Sequence, residues 1–389
     1  MNISAASLRR NGLHIRALHT RLYNSRHLSS VSERSSRAAS DSTVVQNAEA
    51  KRTSIEPKPS SMPPYDDSYG FCLNHVKKYD HENYLAGLCI KDPHLRRISF
   101  ALRAFNVELS LVRDLTTNSD RAKIRFHFWS KLIDEIVRRN ADSGAAFSLE
   151  KDVAYYRQTP VAKEMLDLFA FVQVTSEIES LLRDLIGARI SSKVLGYKQF
   201  DTMDELELYC VKSNSSIYQL AWRLDSQFKG WQPRGSDQDL VSVIETISKD
   251  LGKAQGLSNV IRGIPYNSTK NCCYIPRELI ETYGLSSVDF TARKLDGRSV
   301  RPVVEHLASR CRTVLDGVYS NLSRLLSSSN RYHYRHLEYL FLSRVPIESS
   351  LKRLKRCGYN ICEPSMGRRN TWLALNLKLA SIYYKAPIL

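Results

Sequence analysis

From about residue 70 onward, apolar residues recur at i, i+3, i+4 and i+7, and the two-residue alternation of a half-buried strand is almost absent. "RAKIRFHFWSKLIDEIVRR", "PVAKEMLDLFAFVQVTSEIESLLRDLIGARI", "MDELELYCVKSNSSIYQLAWRLD", "DLVSVIETISKDLGKAQGLSNVIRG", "SVRPVVEHLASRCRTVLDGVYSNLSRLL" and "YHYRHLEYLFLSRVPIESSLKRLKRC" each carry one apolar stripe. The breaks between them fall at Pro, Gly, Asn and Ser. A chain patterned this way buries its stripes by packing helix on helix. The expectation is an all-α fold of about ten helices in one domain, residues 67–389. No repeat of fixed period points to a solenoid.

The first 66 residues read differently. Up to Arg52 there are nine Lys/Arg against Glu33, Asp41 and Glu49, and no acid precedes Glu33. Leu8, Ile15, Leu18 and Leu22 recur at helical spacing between arginines. An amphipathic, Arg- and Ser-rich, acid-poor start has the pattern of a mitochondrial presequence rather than of a secretory signal with its apolar core. Residues 1–50 are therefore expected to be presequence and disordered chain, with processing near Asn24. Residues 51–66, ending in "EPKPSSMPPYD", have linker composition.

Composition narrows the function. The formal net charge is +17, but no nucleic-acid-binding motif accompanies it and aromatics do not interleave with the basic cluster, so no nucleic-acid partner is expected. The longest near-apolar run, Trp372 to Tyr384, is short and interrupted by Asn376 and Lys378, which argues against a membrane span. The eight cysteines are scattered without a CxxC pair, and His75, His81 and His127 lack metal spacing. Buried free thiols and no metal or other cofactor are the expectation.

One helix stands apart. In "KAQGLSNVIRGIP" (253–265), Leu257, Val260, Ile261 and Ile264 share one side. Gln255, Asn259 and Arg262 share the other with Gly252, Gly256 and Gly263. A face of amides, one guanidinium and glycines is either a close helix–helix contact or the floor of a cavity.

With its surroundings, this helix resembles the second signature of the squalene/phytoene synthase family, Ala-x-Gln-x-x-Asn-Ile-x-Arg-Asp followed by Gly-Arg-x-Tyr-Leu-Pro. Ala254, Asn259, Arg262, Tyr274 and Pro276 match without a gap. "ALRAFNVELSLVRD" resembles the first signature, "IRFHFWSKLIDEI" the Trp-containing helix, and "TPVAKEM" the His-Pro-Val-Ala segment; "FDTMDELELYC" agrees in order after it. The resemblance covers nearly all of residues 70–330 and implies the all-helical isoprenoid (squalene/phytoene) synthase fold.

In that family, two Asp-x-x-x-Asp motifs on facing helices hold Mg²⁺ against a prenyl diphosphate, a task that calls for hard oxygen ligands. The matching positions here are Ser110 and Asp114 in the first motif and Gly263 and Asn267 in the second. Asn271-Cys272 replaces the family's Gly-Arg, and Pro265 is expected to interrupt the helix between the second pair. Ser110, Asp114, Gln255, Asn259, Arg262, Gly263 and Asn267 are thus candidates for a relic pocket, with Arg262 expected to pair with Asp114 or Glu108.

Presequence, retained scaffold and eroded aspartates together resemble a mitochondrial branch of the family that serves assembly of respiratory complex I. That resemblance implies a non-catalytic protein at the matrix face of the inner membrane, with complex I subunits or assembly intermediates as partners. The alternative is an active prenyltransferase on isoprenoid diphosphates. Lys352, Arg353, Lys355 and Arg356 lie in one helix, with Arg368, Arg369 and an apolar tail beyond. This is either a peripheral contact with anionic lipid or a solvated face beside a C-terminal helix packed on the core.

Overall fold

The computed structural model describes residues 67–116, 118–141, 150–191, 199–231, 238–327 and 337–383. The expected presequence, processing site and linker lie outside the described residues. In chain order the helices are α1 (Asp67–Tyr79), α2 (His81–Leu88), α3 (Pro93–Leu115), α4 (Ser119–Ala141), α5 (Glu150–Arg157), α6 (Pro160–Phe169) and α7 (Ser176–Ile190). Then come α8 (Met203–Cys210), a π-helical turn (Val211–Ser215), α9 (Ser216–Phe228), α10 (Gln238–Ser268), α11 (Arg277–Thr282), a 3₁₀ turn (Ser287–Phe290), α12 (Arg301–Ser327), α13 (Leu337–Arg356) and α14 (Leu373–Tyr383). No strand occurs among the described residues. The fourteen α-helices among the described residues exceed the ten or so expected. The 160–190 stretch breaks after Ala170, and α2, α5 and α11 have too few turns to display a period.

Helix starts follow capping chemistry. Asp92 accepts from the Leu95 amide at 3.0 Å ahead of Pro93, the first residue of α3. Thr175 and Thr202 cap α7 and α8 by accepting from Ile178 and Glu205, each at 3.3 Å. Between these ends the apolar stripes meet in one core.

α10 is the axis of that core, packed by α8, the π turn, α9, α12 and α13. Its approach to the α8–π junction is backbone to backbone. A Cβ on Gly252 would overlap the Ser215 main chain, and one on Gly256 would lie 2.5 Å from the Cys210 Cβ. Glycine is therefore required at both positions for steric reasons. The π turn presents Ser215 to this contact, and its hydroxyl donates to the Lys249 carbonyl at 2.6 Å.

Pro265 does not end α10, contrary to expectation: the helix runs on to Ser268 with the proline inside it. Proline forfeits one backbone hydrogen bond. Only one further turn is needed, Ile261 and Ile264 hold the helix in the core, and hydroxyls serve the final carbonyls. Ser268 donates to the Pro265 oxygen and Thr269 to that of Tyr266, both at 2.7 Å.

Polar ties cross the core where helices meet. Arg97 on α3 donates to Glu164 on α6 at 2.6 and 3.1 Å, and Ser68 on α1 adds a bond at 3.1 Å. Glu207 on α8 accepts from Lys253 on α10 at 3.0 Å and from Arg310 on α12 at 2.6 Å. Burial alone would raise the Glu207 pKa, but these two cations outweigh it and hold the carboxyl below its ordinary value. No helix among the described residues is long and apolar enough to cross a membrane.

Two outcomes follow for stability. Gly252→Ala should destabilise by about 3 kcal/mol, as expected for overpacking against backbone. Gly187→Ala, in a helix interior with nothing within 4 Å of the added carbon, should stabilise by about 0.5 kcal/mol. Urea denaturation of both variants checks the pair. Because the folded-state pKa of Glu207 is depressed, its contribution is complete above the ordinary glutamate value and is lost as pH falls through the folded value. Glu207→Gln should therefore lower the denaturation midpoint at pH 7, with the gap to wild type closing below about pH 4.

Candidate functional site

The second half of α3, the second half of α10 and the turn leading to Ile275 build the site. α10 ends in a Schellman turn: the Cys272 amide donates to the Asn267 carbonyl and the Asn271 amide to that of Ser268, both at 3.0 Å. Asn271 has a φ of 54°. Asparagine is among the few residues besides glycine that visit this region routinely, which explains Asn271 where the resembling family has glycine. The turn carries Lys270 back toward α3 and buries Tyr274.

Asp114 is held by cations. Lys270 Nζ donates to its Oδ1 at 2.6 Å and lies 4.6 Å from the centre of the Tyr266 ring. Arg113 donates to the Tyr274 hydroxyl, sits 5.1 Å from that ring's centre, and reaches Asn267 Oδ1 and Asp114 Oδ1 at 3.5 Å each. Burial pushes the Lys270 pKa down, yet its hydrogen bonds to Asp114 and Tyr266 prevail and leave it above the usual lysine value. Burial raises the Tyr274 phenol above its ordinary pKa despite Arg113, so it is neutral at pH 7.

The other motif positions lie on helices and carry no charge. A Cβ on Gly263 would point at the Asn267 amide nitrogen, 3.0 Å away. Positions 263 and 267 therefore share one face of α10, because the helix persists through Pro265. Ser110 Oγ donates to the Val107 carbonyl at 2.8 Å.

Gln255 and Asn259 join as the wheel implied: Gln255 Nε2 donates to Asn259 Oδ1 at 2.9 Å, and Asn259 Nδ2 to Asn214 Oδ1, in the π turn, at 3.4 Å. Gln255 is buried, and its Oε1 has no protein partner. The face is thus a close helix contact at Gly252 and Gly256 and an amide relay beside it, whereas Gly263 makes no close approach.

The expected pairing of Arg262 is overturned. Its guanidinium bonds Glu82 at the start of α2, Glu108 pairs with His75 at 3.0 Å, and Asp114 takes Lys270. Lys270, eight residues beyond Arg262, is the cation that the prolonged α10 delivers to Asp114. Arg262 faces a recess of about 240 Å³ whose lining includes Lys78, Glu82, Arg353 and Arg368. Glu82, Lys270 and Arg113 were missed in the sequence. Arg113 alone left a signal, as a cation adjoining the remaining motif aspartate.

Mg²⁺, which the resemblance calls for, does not fit these residues. It would meet one carboxylate already bound to an ammonium, a hydroxyl engaged with backbone, a glycine without a donor and one amide, and it dehydrates reluctantly. Among the described residues no three His, Cys, Asp or Glu side chains converge to hold a metal.

The basic segment divides. Lys352, Lys355 and Arg356 are exposed. Arg353 is not available as a lipid contact, because its Nη2 donates to the Ser365, Met366 and Arg368 carbonyls at 2.5, 2.6 and 2.7 Å. Three carbonyls converge on this one nitrogen and pin the strap between α13 and α14.

An all-helical fold with a central glycine-bearing helix opposite a motif-bearing α3 defines the isoprenoid-synthase class. The family model for squalene/phytoene synthase matches residues 76–374, and the chain belongs to that family. Among curated proteins it is similar to NADH dehydrogenase (ubiquinone) complex I, assembly factor 6 of Rattus norvegicus, at 29% identity over 83% of this chain and 84% of that one. The homologue of that factor in Drosophila melanogaster is 29% identical over 87% and 93%. The Dictyostelium discoideum homologue is 23% identical over 84% and 83%. In fold it is similar to a dehydrosqualene synthase in complex with ligand, with a TM-score of 0.58 and 14% identity over 82% of this chain and 96% of that one. A squalene synthase from Alicyclobacillus acidocaldarius gives 0.52 and 19% over 75% and 95%.

Lys270→Gln removes the ammonium from Asp114 and should lower stability by about 1 kcal/mol, the scale of a partly exposed pair. The folded-state pKa of Lys270 is raised, so the pair's contribution is complete below the ordinary lysine value and fades as pH rises beyond it. The difference between wild type and variant in thermal melts should therefore persist at pH 7 and shrink above about pH 10.5.

Proposed function

We propose that this chain is a non-catalytic factor in the assembly of respiratory complex I, imported into mitochondria by its N-terminal segment. It acts at the matrix face of the inner membrane, with complex I subunits or assembly intermediates as partners. The observation that carries the reading is the state of Asp114. The one carboxylate among the four motif positions is occupied by Lys270, and a diphosphate leaving group has no metal clamp to receive its charge. The names of the relatives, which this chain matches over 83–93% of their length, supply the process. The scaffold then serves as a shaped surface rather than as a reaction vessel.

Two measurements test this. Purified protein with farnesyl or geranylgeranyl diphosphate and Mg²⁺ should release no diphosphate above the protein-free rate. Cells lacking the chain should lose mature complex I on native gels. Asp114→Asn combined with Lys270→Gln, which removes both charges together, should restore it as well as wild type does. Metal-dependent diphosphate release that disappears in Asp114→Asn would replace this reading with an active prenyltransferase.

A further inference from the structure

α14 is apolar on two sides. Leu373 and Leu377 are buried where it packs on α13 and α2, while Trp372, Leu375, Leu379 and Ile382 are 68, 47, 42 and 56% exposed. At 100° per residue these four fall within one stripe about 80° wide, opposite the packed face. Fourteen large apolar residues are exposed among those described, and four of them sit between Trp372 and Ile382. Single exposed apolar side chains need no explanation, but an aligned stripe does.

Charge identifies what covers it. From Pro364 to Tyr383 there is no Asp or Glu, while Arg368, Arg369 and Lys378 are all exposed. A protein groove that buried this stripe would also have to meet three cations at its rim with matching acids. An anionic bilayer offers both surfaces at once: headgroup phosphates for Arg368, Arg369 and Lys378, and the acyl boundary for Leu375, Leu379 and Ile382. Trp372, at the helix start beside the arginines, suits the boundary between the two. Lying in the interface requires no spanning length.

We infer that the outward stripe of α14 is the surface by which this chain docks on an anionic lipid bilayer, with the helix in the plane of the interface. The inference rests on the proposed inner-membrane setting and relocates the lipid contact from the Lys352–Arg356 cluster to α14. Arg353 becomes a positioning residue: by binding the carbonyls of 365, 366 and 368 it fixes the strap that presents Arg368, Arg369 and the start of α14.

The test uses the full-length chain and phosphatidylcholine vesicles with or without cardiolipin. Wild type should sediment with the anionic vesicles. Leu375→Glu combined with Leu379→Glu should reduce that partitioning by about tenfold or more without changing the thermal melt, since both side chains are exposed. Tryptophan emission should be quenched by brominated lipid in wild type, and Trp372→Phe should remove most of that quenching, because Trp129 and Trp222 are buried and Trp231 is half-buried against the core. Arg368→Gln combined with Arg369→Gln should weaken binding to anionic vesicles and flatten its salt dependence.

Equal sedimentation of wild type and the Glu variants, with no Trp372 quenching, overturns the inference and moves the lipid contact to another part of the chain. Glu variants that bind vesicles like wild type but fail to restore complex I assign the stripe to a protein partner, which also overturns it. Vesicle binding does not call on complex I, so failure of the assembly reading leaves this result separately readable.

Discussion

The contact between Gly252 and the main chain of Ser215 sets the geometry of the rest. It fixes how deeply α10 sits against the π turn, and through that the side of α10 that faces α3. With a Cβ at 252 or 256 the two backbones would separate, and Asn259, Gly263 and Asn267 would leave their register with Asn214 and Arg113. The π turn belongs to the same device. Its extra residue per turn places Ser213, Asn214, Ser215 and Ser216 in the interior, where the Ser215 hydroxyl and the Asn214 amide find partners on α10.

Helix identity and the buried apolar side of α10 were legible because periodicity reports burial directly. Leu257, Ile261 and Ile264 are all in the core, and Gly252 and Gly256 make the close contact that small residues on a helix face imply. Pro265 was misread for a physical reason: sequence shows the hydrogen bond a proline removes but not the hydroxyls of Ser268 and Thr269 that serve neighbouring carbonyls. Arg262 was misread for another. Its partner Glu82 lies 180 residues away, and ion pairing between distant elements depends on how they pack, which local pattern does not encode. The π turn leaves no periodic trace, since five residues cannot establish a period.

At the C-terminus, the structure shows the helix packed on the core through Leu373 and Leu377, so it is a structural element; the lipid contact is a proposal. It also keeps a second apolar stripe, which core packing does not require. Of the four basic residues in the 352–356 segment, Arg353 is bound within the chain. Sequence could not separate it from its neighbours, because converging carbonyls are a property of the folded strap.

The electrostatics of the α3–α10 cleft form a consistent set. Four carboxylates facing one another without metal would repel strongly, and burial would push some toward the protonated form. A metal offsets that repulsion, and a chain that does without the metal gains stability by removing the negative charge. Ser110, Gly263 and Asn267 are neutral, and the single remaining charge at Asp114 is balanced by Lys270 at 2.6 Å with Arg113 alongside. Reintroducing carboxylates at 110, 263 and 267 would restore the repulsion before any cation arrived, while Lys270 and Arg113 would compete with that cation for Asp114. The backbone can still present an i, i+4 pair at 263 and 267, so the obstacle to metal binding lies in the charges rather than in the shape. The two levels are separate: the backbone frames an i, i+4 pair, and the side chains of the cleft form an ion pair that stabilises the fold itself.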